Sequence, residues 1–324
     1  MDKIVAVHTF DQLKILADSN RLKILRLLMA APATLTQLGA NLDESPAWVR
    51  HHVKILESGM LIEIAEVRIT AGVTEKFYRA KAPALLLQEL ILPQSRKPVI
   101  IFSGSHDTAL EHIASRLDRH VTMLTLPVGS LDGLVNLRQG LCHIAGAHLL
   151  DPGGEYNAPF VRHLFPDRPV SLVTLAYRTQ GLIVAPGNPK GIKDLSDLSR
   201  EEVTFINRNP GSGTRLWLDR ELSRIGLPIS LIRGYGQFVQ THTESAKTIQ
   251  AGAVDTAIGI QAAAREYQLD FIPLFEERYD LIIPAEWTKL AEPLLNHLQT
   301  ASFRQELNSL TGYNTARSGE QIPL

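Results

Sequence analysis

Cysteine is nearly missing from this chain: there is one in 324 residues, Cys142. A disulfide framework within one chain and a zinc site built on cysteines are thereby excluded. No stretch approaches the ~20 apolar residues of a membrane-spanning helix. The opening MDKIVAVHTFDQLKIL has no basic stretch followed by a long apolar run, so no signal peptide is visible and a cytoplasmic location is expected. Net charge is also scarce, at -1, which excludes a polycation along the whole chain. Repeats and low-complexity tracts are lacking too.

What is there is apolar material in ordinary amount, 44% of the residues, over a length that suits about two domains. The charge is split unevenly. Eleven Lys and Arg against nine Asp and Glu leave +2 over residues 1–82, and the remainder is -3. That asymmetry gives slight support to a nucleic-acid partner for the first part.

Residues 11–62 carry a helical pattern, with Leu13, Leu16, Leu22, Leu25 and Leu28 at helical spacing. Ala31-Pro32 breaks it. Thr34 followed by Gln37 predicts a capping box on LTQLGANL. Ser45-Pro46 predicts an N-cap and first-turn proline for AWVRHHVKILESG. Val49, Val53 and Leu56 form the inward stripe of that helix, which leaves Arg50, His51 and Lys54 off it. LIEIAEVRI and EKFYRA then read as a hairpin around Thr70-Ala71-Gly72-Val73-Thr74. Short helices followed by a basic hairpin predict an α+β winged helix-turn-helix, residues 1–82, that binds operator DNA. A small helical domain with a solvated charged face is the plainer alternative.

The segments LADSNRLKILRLL, LTQLGANLDESPAWVRHHVKILESGMLIE and KFYRA resemble winged-helix regulators of the arsenic-repressor type, over roughly residues 10–82. That resemblance implies that the second helix of the pair reads the major groove. Ser45, Ala47, Trp48, Arg50, His51 and Lys54, with Arg68, Lys76 and Arg79 on or beside the wing, are then the candidate DNA contacts. The metal-binding Cys motif of the metal-sensing members is absent, so their metal chemistry does not carry over. Trp48 stands where a small polar residue is common, so sequence specificity does not carry over either. Residues 83–97 are expected to be a linker helix. PALLLQEL and the first helix are the expected homodimer interface, since two half-sites call for two-fold symmetry.

From Pro98 to residue 324 strands and helices alternate, which predicts a mostly parallel sheet with helices on its faces. In such sheets ligands bind beyond the carboxyl ends of the strands. Five loops at those ends are small, hydroxylic or glycine-rich, and several open a helix. They contribute Ser103, Gly104, Ser105 and His106; Ser130; His148; Arg208, Gly211, Ser212, Gly213, Thr214 and Arg215; and Thr241 with His242. One such loop is usually only a helix cap. Five in succession predict an anion site of backbone N–H groups, hydroxyls and one guanidinium. Such a site should be lined with donors and should keep carboxylates out. Asp107 is expected to cap the helix that follows it, and Asp255 to lie at a turn.

This second part resembles the two-lobed periplasmic-binding-protein-like (type II) α/β domains fused to DNA-binding domains or found in molybdopterin-biosynthesis proteins. The segments that carry the likeness include SGSHDTALEHIASRL, FINRNPGSGTRLWLDREL, THTESAKTIQAGAVDTAIGIQAAA and LDFIPLFEERYDLII. Residues 208–214 further resemble the oxyanion loop of tungstate-binding transport proteins, which implies molybdate or tungstate as ligand. Sulfate, a molybdopterin and an organic anion stay open. RTQGLIVAPGN is expected to carry the chain between lobes, with the return near FIPLFEERYDLIIP.

Together these readings predict a one-component regulator that senses a small oxyanion, with no resident cofactor or metal. An oxyanion or molybdenum-cofactor carrier or store is the second reading. An enzyme is the third and is not expected: His106 with Asp107, or His242 with Arg208, has no nucleophile, metal set or cofactor fingerprint beside it.

Overall fold

The computed structural model describes residues 5–7, 9–70, 73–87, 91–94, 96–117 and 119–324. The chain divides into two compact units, Met1–Leu92 and Pro93–Leu324.

The first unit begins with β1 (Val5–Val7), followed by helices α1 (Phe10–Leu16), α2 (Ser19–Ala30), α3 (Leu35–Leu42) and α4 (Pro46–Ser58). The hairpin β2 (Ile62–Thr70) and β3 (Val73–Ala80) follows, then β4 (Leu85–Leu87). The helix starts are where side-chain chemistry puts them. Thr34 and Gln37 close a full capping box on α3, and Ser45 Oγ accepts from Trp48 N on α4. Ile24, Leu25, Leu28, Leu38, Val49, Val53, Leu56 and Ile62 form one core under the hairpin base. An antiparallel bridge from Ala33 to Tyr78 adds a third element to the wing.

Among the described residues of 83–97 no helix forms where a linker helix is expected. Leu85, Leu86 and Leu87 are extended and pair in parallel with Val5, Ala6 and Val7. A backbone that finds ladder partners there gains more than the marginal propensity of a short isolated helix offers.

The second unit runs β5 (Val99–Gly104), α5 (Thr108–Leu117), β6 (Thr122–Pro127), α6 (Ser130–Arg138), β7 (Ile144–Ala147), α7 (Ala158–Leu164) and β8 (Val170–Val184). It continues through β9 (Phe205–Arg208), α8 (Gly213–Arg224), β10 (Phe238–Val239), α9 (His242–Gln250), β11 (Thr256–Ile260), α10 (Gln261–Glu266) and β12 (Asp270–Pro284). α11 (Thr288–Leu298), α12 (Ala301–Ser309), β13 (Tyr313–Asn314) and β14 (Gln321–Ile322) close it. The sheet order is β10-β9-β11-β8-β12-β7-β5-β6, with β13 and β14 also on β8.

The sheet is mixed rather than mostly parallel. β5, β6 and β7 pair in parallel, as do β9, β10 and β11. Between these sets run two long antiparallel strands, β8 and β12, paired from Asp270↔Val184 to Pro284↔Val170. β7 joins β12 near Leu281, while β11 joins β8 at its far end, near Leu182. Each parallel set with its helices is thus one lobe, and β8 and β12 cross both. Crossover helices enforce parallel pairing within a lobe; direct crossing and return enforces the antiparallel pair. Among the described residues no helix is long and apolar enough to cross a membrane.

Candidate functional site: a buried guanidinium cluster in the second unit

Where the lobes meet, the helix starts of α6 and α8 face each other. Leu131 N donates to Gly211 O at 3.2 Å, and Asn209 Nδ2 to Val128 O at 2.8 Å. Arg220 Nη1 reaches Asp151 O at 3.4 Å. Gly213 at the head of α8 lies flat on His148: a Cβ there would come within 2.6 Å of His148 Nδ1 and 2.8 Å of its carbonyl oxygen.

Of the expected hydroxyl donors, Ser103 has given its hydrogen within the protein, while Ser130, Ser212 and Thr241 accept and keep theirs to donate. Ser103 Oγ accepts from Asn136 Nδ2 and donates to Leu126 O, inside its own lobe. Ser130 Oγ accepts from His148 N. Ser212 Oγ caps α8 by accepting from Arg215 N, and Thr241 Oγ1 caps α9 in a capping box with Glu244. Gly104 (φ +133°) sits where a Cβ would meet Gly146 O at 2.2 Å, so its glycine serves strand approach. Arg215 turns to Asp219, stacks 4.1 Å over the Tyr235 ring, and reaches Arg208 O through Nη1 at 3.4 Å.

What the structure gathers instead is a dry group of charged and ring side chains. Arg208 is 1% exposed. Its Nη1 meets His242 Nδ1 at 2.8 Å and its Nη2 donates to Gln240 O at 2.7 Å. Among the described residues no carboxylate pairs with it, and its Nε–H is buried without a partner. Burial first, and the positive field of Arg178 second, push the Arg208 guanidinium down to about 9. His242 is held well below its ordinary value by burial and then by Arg208. A neutral His242 that accepts at Nδ1 carries its proton on Nε2, which is also buried and unpartnered. The fields of Arg178, His106 and His148 reach the same ring.

Arg178 was not singled out by the sequence reading. It lies on β8 opposite Glu277 of β12. Its Nε donates to Glu277 Oε1 and its Nη1 to Asp107 Oδ2, each at 2.5 Å, with the Tyr279 ring 4.3 Å away. Burial would lower the Arg178 pKa, but the two carboxylates outweigh it and raise it. Its Nη2 is buried and free of partners. Burial would raise Glu277 too, yet Arg178 and His148 hold it down to about 2. Glu277 also accepts from Gln180 Nε2 at 2.7 Å, and Gln180 holds Thr214 Oγ1 at 3.0 Å.

Two carboxylates, Asp107 and Glu277, lie in the cluster, and both are bonded to Arg178. Asp107 caps α5 as expected, its Oδ1 accepting from Leu110 N at 3.1 Å. His148 bridges Ser105 Oγ, 2.9 Å from Nε2, and Glu277 Oε2, 2.5 Å from Nδ1 though not aligned as a hydrogen bond. His106 joins Glu111 through Nε2 at 2.9 Å, with its Nδ1 buried and unpartnered. Asp255 lies at a bend before β11 and accepts from Thr204. The signal for the missed residues was partial: Arg178 and Gln180 break the apolar run of β8, but Glu277 stands in the charged stretch 276–280 of β12, where nothing in the sequence marks it as buried.

In the first unit, Ala47, Arg50, His51 and Lys54 are exposed along α4, and Ser45 is its cap. Trp48 turns inward, half-buried, with its ring 4.2 Å from that of His52. Arg68 is held by Glu66 and lies over Phe77, Arg79 pairs with Glu63, and Lys76 is exposed. Ala71 and Gly72 of the wing loop lie outside the described residues.

The family described as PBP superfamily domain matches residues 111–299, and a helix-turn-helix domain family matches residues 16–65. The uncharacterized protein YvgK of Bacillus subtilis (strain 168) is 34% identical over 229 residues, 70% of this chain and 74% of YvgK. An uncharacterized protein in a ferredoxin 2Fe-2S gene 5'region of Clostridium pasteurianum is 32% identical over 110 residues, 32% of this chain and 96% of that one. The sulfate-binding protein SubI from Mycobacterium tuberculosis H37Rv superposes with a TM-score of 0.51 at 14% identity, over 67% of this chain and 86% of that one. At that identity the likeness is one of fold.

Proposed function

The chain belongs to the family of the PBP superfamily domain, and we propose that it is a ligand-responsive transcription regulator. Its winged helix binds operator DNA, and its second unit senses a small oxyanion between the lobes. The observation that carries this is Arg208. A fully buried guanidinium without a carboxylate costs several kcal/mol unless an anion completes it. Its free Nε–H, the Nε2–H of His242 and the Nη2 of Arg178 are three buried donors without a partner, on side chains whose fields reach one another. A tetrahedral oxyanion supplies only acceptors and matches them. Molybdate and tungstate are the ligands we favour, on the likeness of residues 208–214 to a tungstate loop. Sulfate fits the same donors. Ligand binding acts by favouring one lobe arrangement over another, and so one DNA-binding state.

We read the assembly as a homodimer on two half-sites, working where the chromosome is. Phe10, Leu86 and Leu87 are each at least half exposed in the region expected to pair. Calorimetric titration with molybdate, tungstate and sulfate, followed by operator binding with and without the tightest of them, tests the reading. Anion binding without any specific DNA binding would favour a carrier instead.

A further inference from the structure

We propose that this sensor takes up its oxyanion together with a proton, held on His148, and that the proton turns the Ser105 hydroxyl toward the anion. This rests on the anion reading above.

The charges of the protein groups set the problem. Arg178 and Arg208 bring two positive charges, and Asp107 and Glu277 bring two negative ones, all 1% exposed or less. The cluster is balanced on its own. A dianion placed against Arg208 leaves dry negative charge uncompensated, and a buried charge without a counter-charge is costly. A proton is the smallest compensating cation, and the cluster is rich in imidazoles.

Geometry selects which imidazole. His242 cannot take the proton cheaply, because its Nδ1 already accepts from Arg208 Nη1 at 2.8 Å. His106 is the rival, but its partner Glu111 has a side chain 63% exposed, so water screens that pair. His148 is enclosed from every side. Glu277 and Tyr279 face it from β12, Ser105 from the end of β5 and Gly213 from α8. Ser130 on α6 holds its backbone, and the fields of Arg178 on β8 and Arg208 on β9 reach its ring.

The two ring nitrogens of His148 then fix the device. Nδ1 stands 2.5 Å from Glu277 Oε2, and a bare ring lone pair that close to a carboxylate would be repelled, so the hydrogen of the neutral ring is placed on Nδ1. In the neutral ring Nε2 is bare, and it must accept the Ser105 hydroxyl hydrogen across 2.9 Å. Once Nε2 is protonated it donates to Ser105 Oγ instead. The hydroxyl hydrogen is released and can be given to the oxyanion. Ser105 is thus a neutral donor to the ligand only while His148 is an imidazolium, and Glu277 is in place as its counter-charge.

The sign follows. Burial, ahead of the opposing pull of Glu277, holds the ring below its ordinary value, so it is neutral at neutral pH before the anion arrives. The anion raises it. Between the two values binding consumes a proton, and affinity falls as pH rises.

Titration of the full chain with sulfate, molybdate and tungstate, in two buffers of different ionisation enthalpy, counts the protons, since none of these anions titrates near neutral pH. The expected result is uptake approaching one proton, with affinity falling up to about tenfold per pH unit. The ring NMR signals of His148 should move to the imidazolium position on saturation. His148→Gln should bind more weakly with no proton uptake and a flat pH profile. If that variant does not fold, the proton count and ring signals of the unaltered chain decide. Binding with no proton uptake overturns the proposal and leaves the anion site standing. A proton that arrives on His106 or His242 overturns the assignment to His148. No binding of any of the three anions overturns the anion reading, and this inference with it.

Discussion

The crossing of β8 and β12 and the corner between β9 and α8 each bury one guanidinium, and they treat it in opposite ways. At the crossing, Arg178 has two carboxylates and an aromatic ring around it. At the corner, Arg208 has an imidazole nitrogen and a carbonyl oxygen, both neutral. Burial does not tell the two apart, since each is 1% exposed. The partner list does. A buried cation whose charge is met within the fold is part of the scaffold. One with no carboxylate bonded to it and a buried N–H left free keeps a place for something that the chain does not supply.

The largest effect that would test this contrast is on stability. Arg178→Met leaves Asp107 and Glu277 buried without their cation, and should destabilise the second unit by about 3–5 kcal/mol in urea denaturation. A variant as stable as the parent would erase the distinction from that side. Arg208→Met should cost less in the absence of added anion, because no carboxylate is bonded to Arg208, although its loss leaves Asp107 and Glu277 with only Arg178 to balance them.

Arg208→Ala should cost about 2–4 kcal/mol in oxyanion affinity, more than any single serine change. The variant's winged helix should still bind DNA, but with no response to molybdate or tungstate. Undiminished oxyanion binding would make Arg208 structural as well.

Exposed cations make a third setting, in the first unit. Arg50→Ala should weaken specific operator binding by about 1–3 kcal/mol if it reads a base, with oxyanion affinity unchanged. Unchanged operator affinity would remove Arg50 from the reading surface. The smallest change belongs to the hydroxyl that caps α8. Ser212→Ala should lower thermal stability by about 1 kcal/mol through the lost α8 cap. A loss of anion affinity beyond that amount would mean that Ser212 touches the ligand.

What could be read without coordinates was local. Thr34 with Gln37, Ser45 with Pro46, and Asp107 before Thr108 are caps whose partners lie within three residues, so spacing alone reveals them. Arg208 and His242 were found because both stand beside helix starts. Arg178 and Glu277 were not, since their meeting depends on the register of two strands about a hundred residues apart. The same limit explains why Leu85–Leu87 is a strand where a linker helix is expected. LLLQEL has helix-forming composition, but Leu85–Leu87 takes its structure from Val5–Val7 at the other end of the unit. Spacing also could not show that Ser103 would turn back into its own lobe, a choice made by Asn136 and Leu126.

Gly213 leaves a handle of another kind. Any side chain at that position would strike His148, and part of what it strikes is backbone that cannot swing aside. Gly213→Ala therefore acts as a wedge between the lobes while every charged group of the cluster is kept. For a geneticist this is an allele whose phenotype is deafness: the regulator is made, reaches its promoter, and no longer hears the signal. Compared in a reporter strain with Arg208→Ala, it would show whether displacing the His148 ring silences the response as fully as losing the guanidinium.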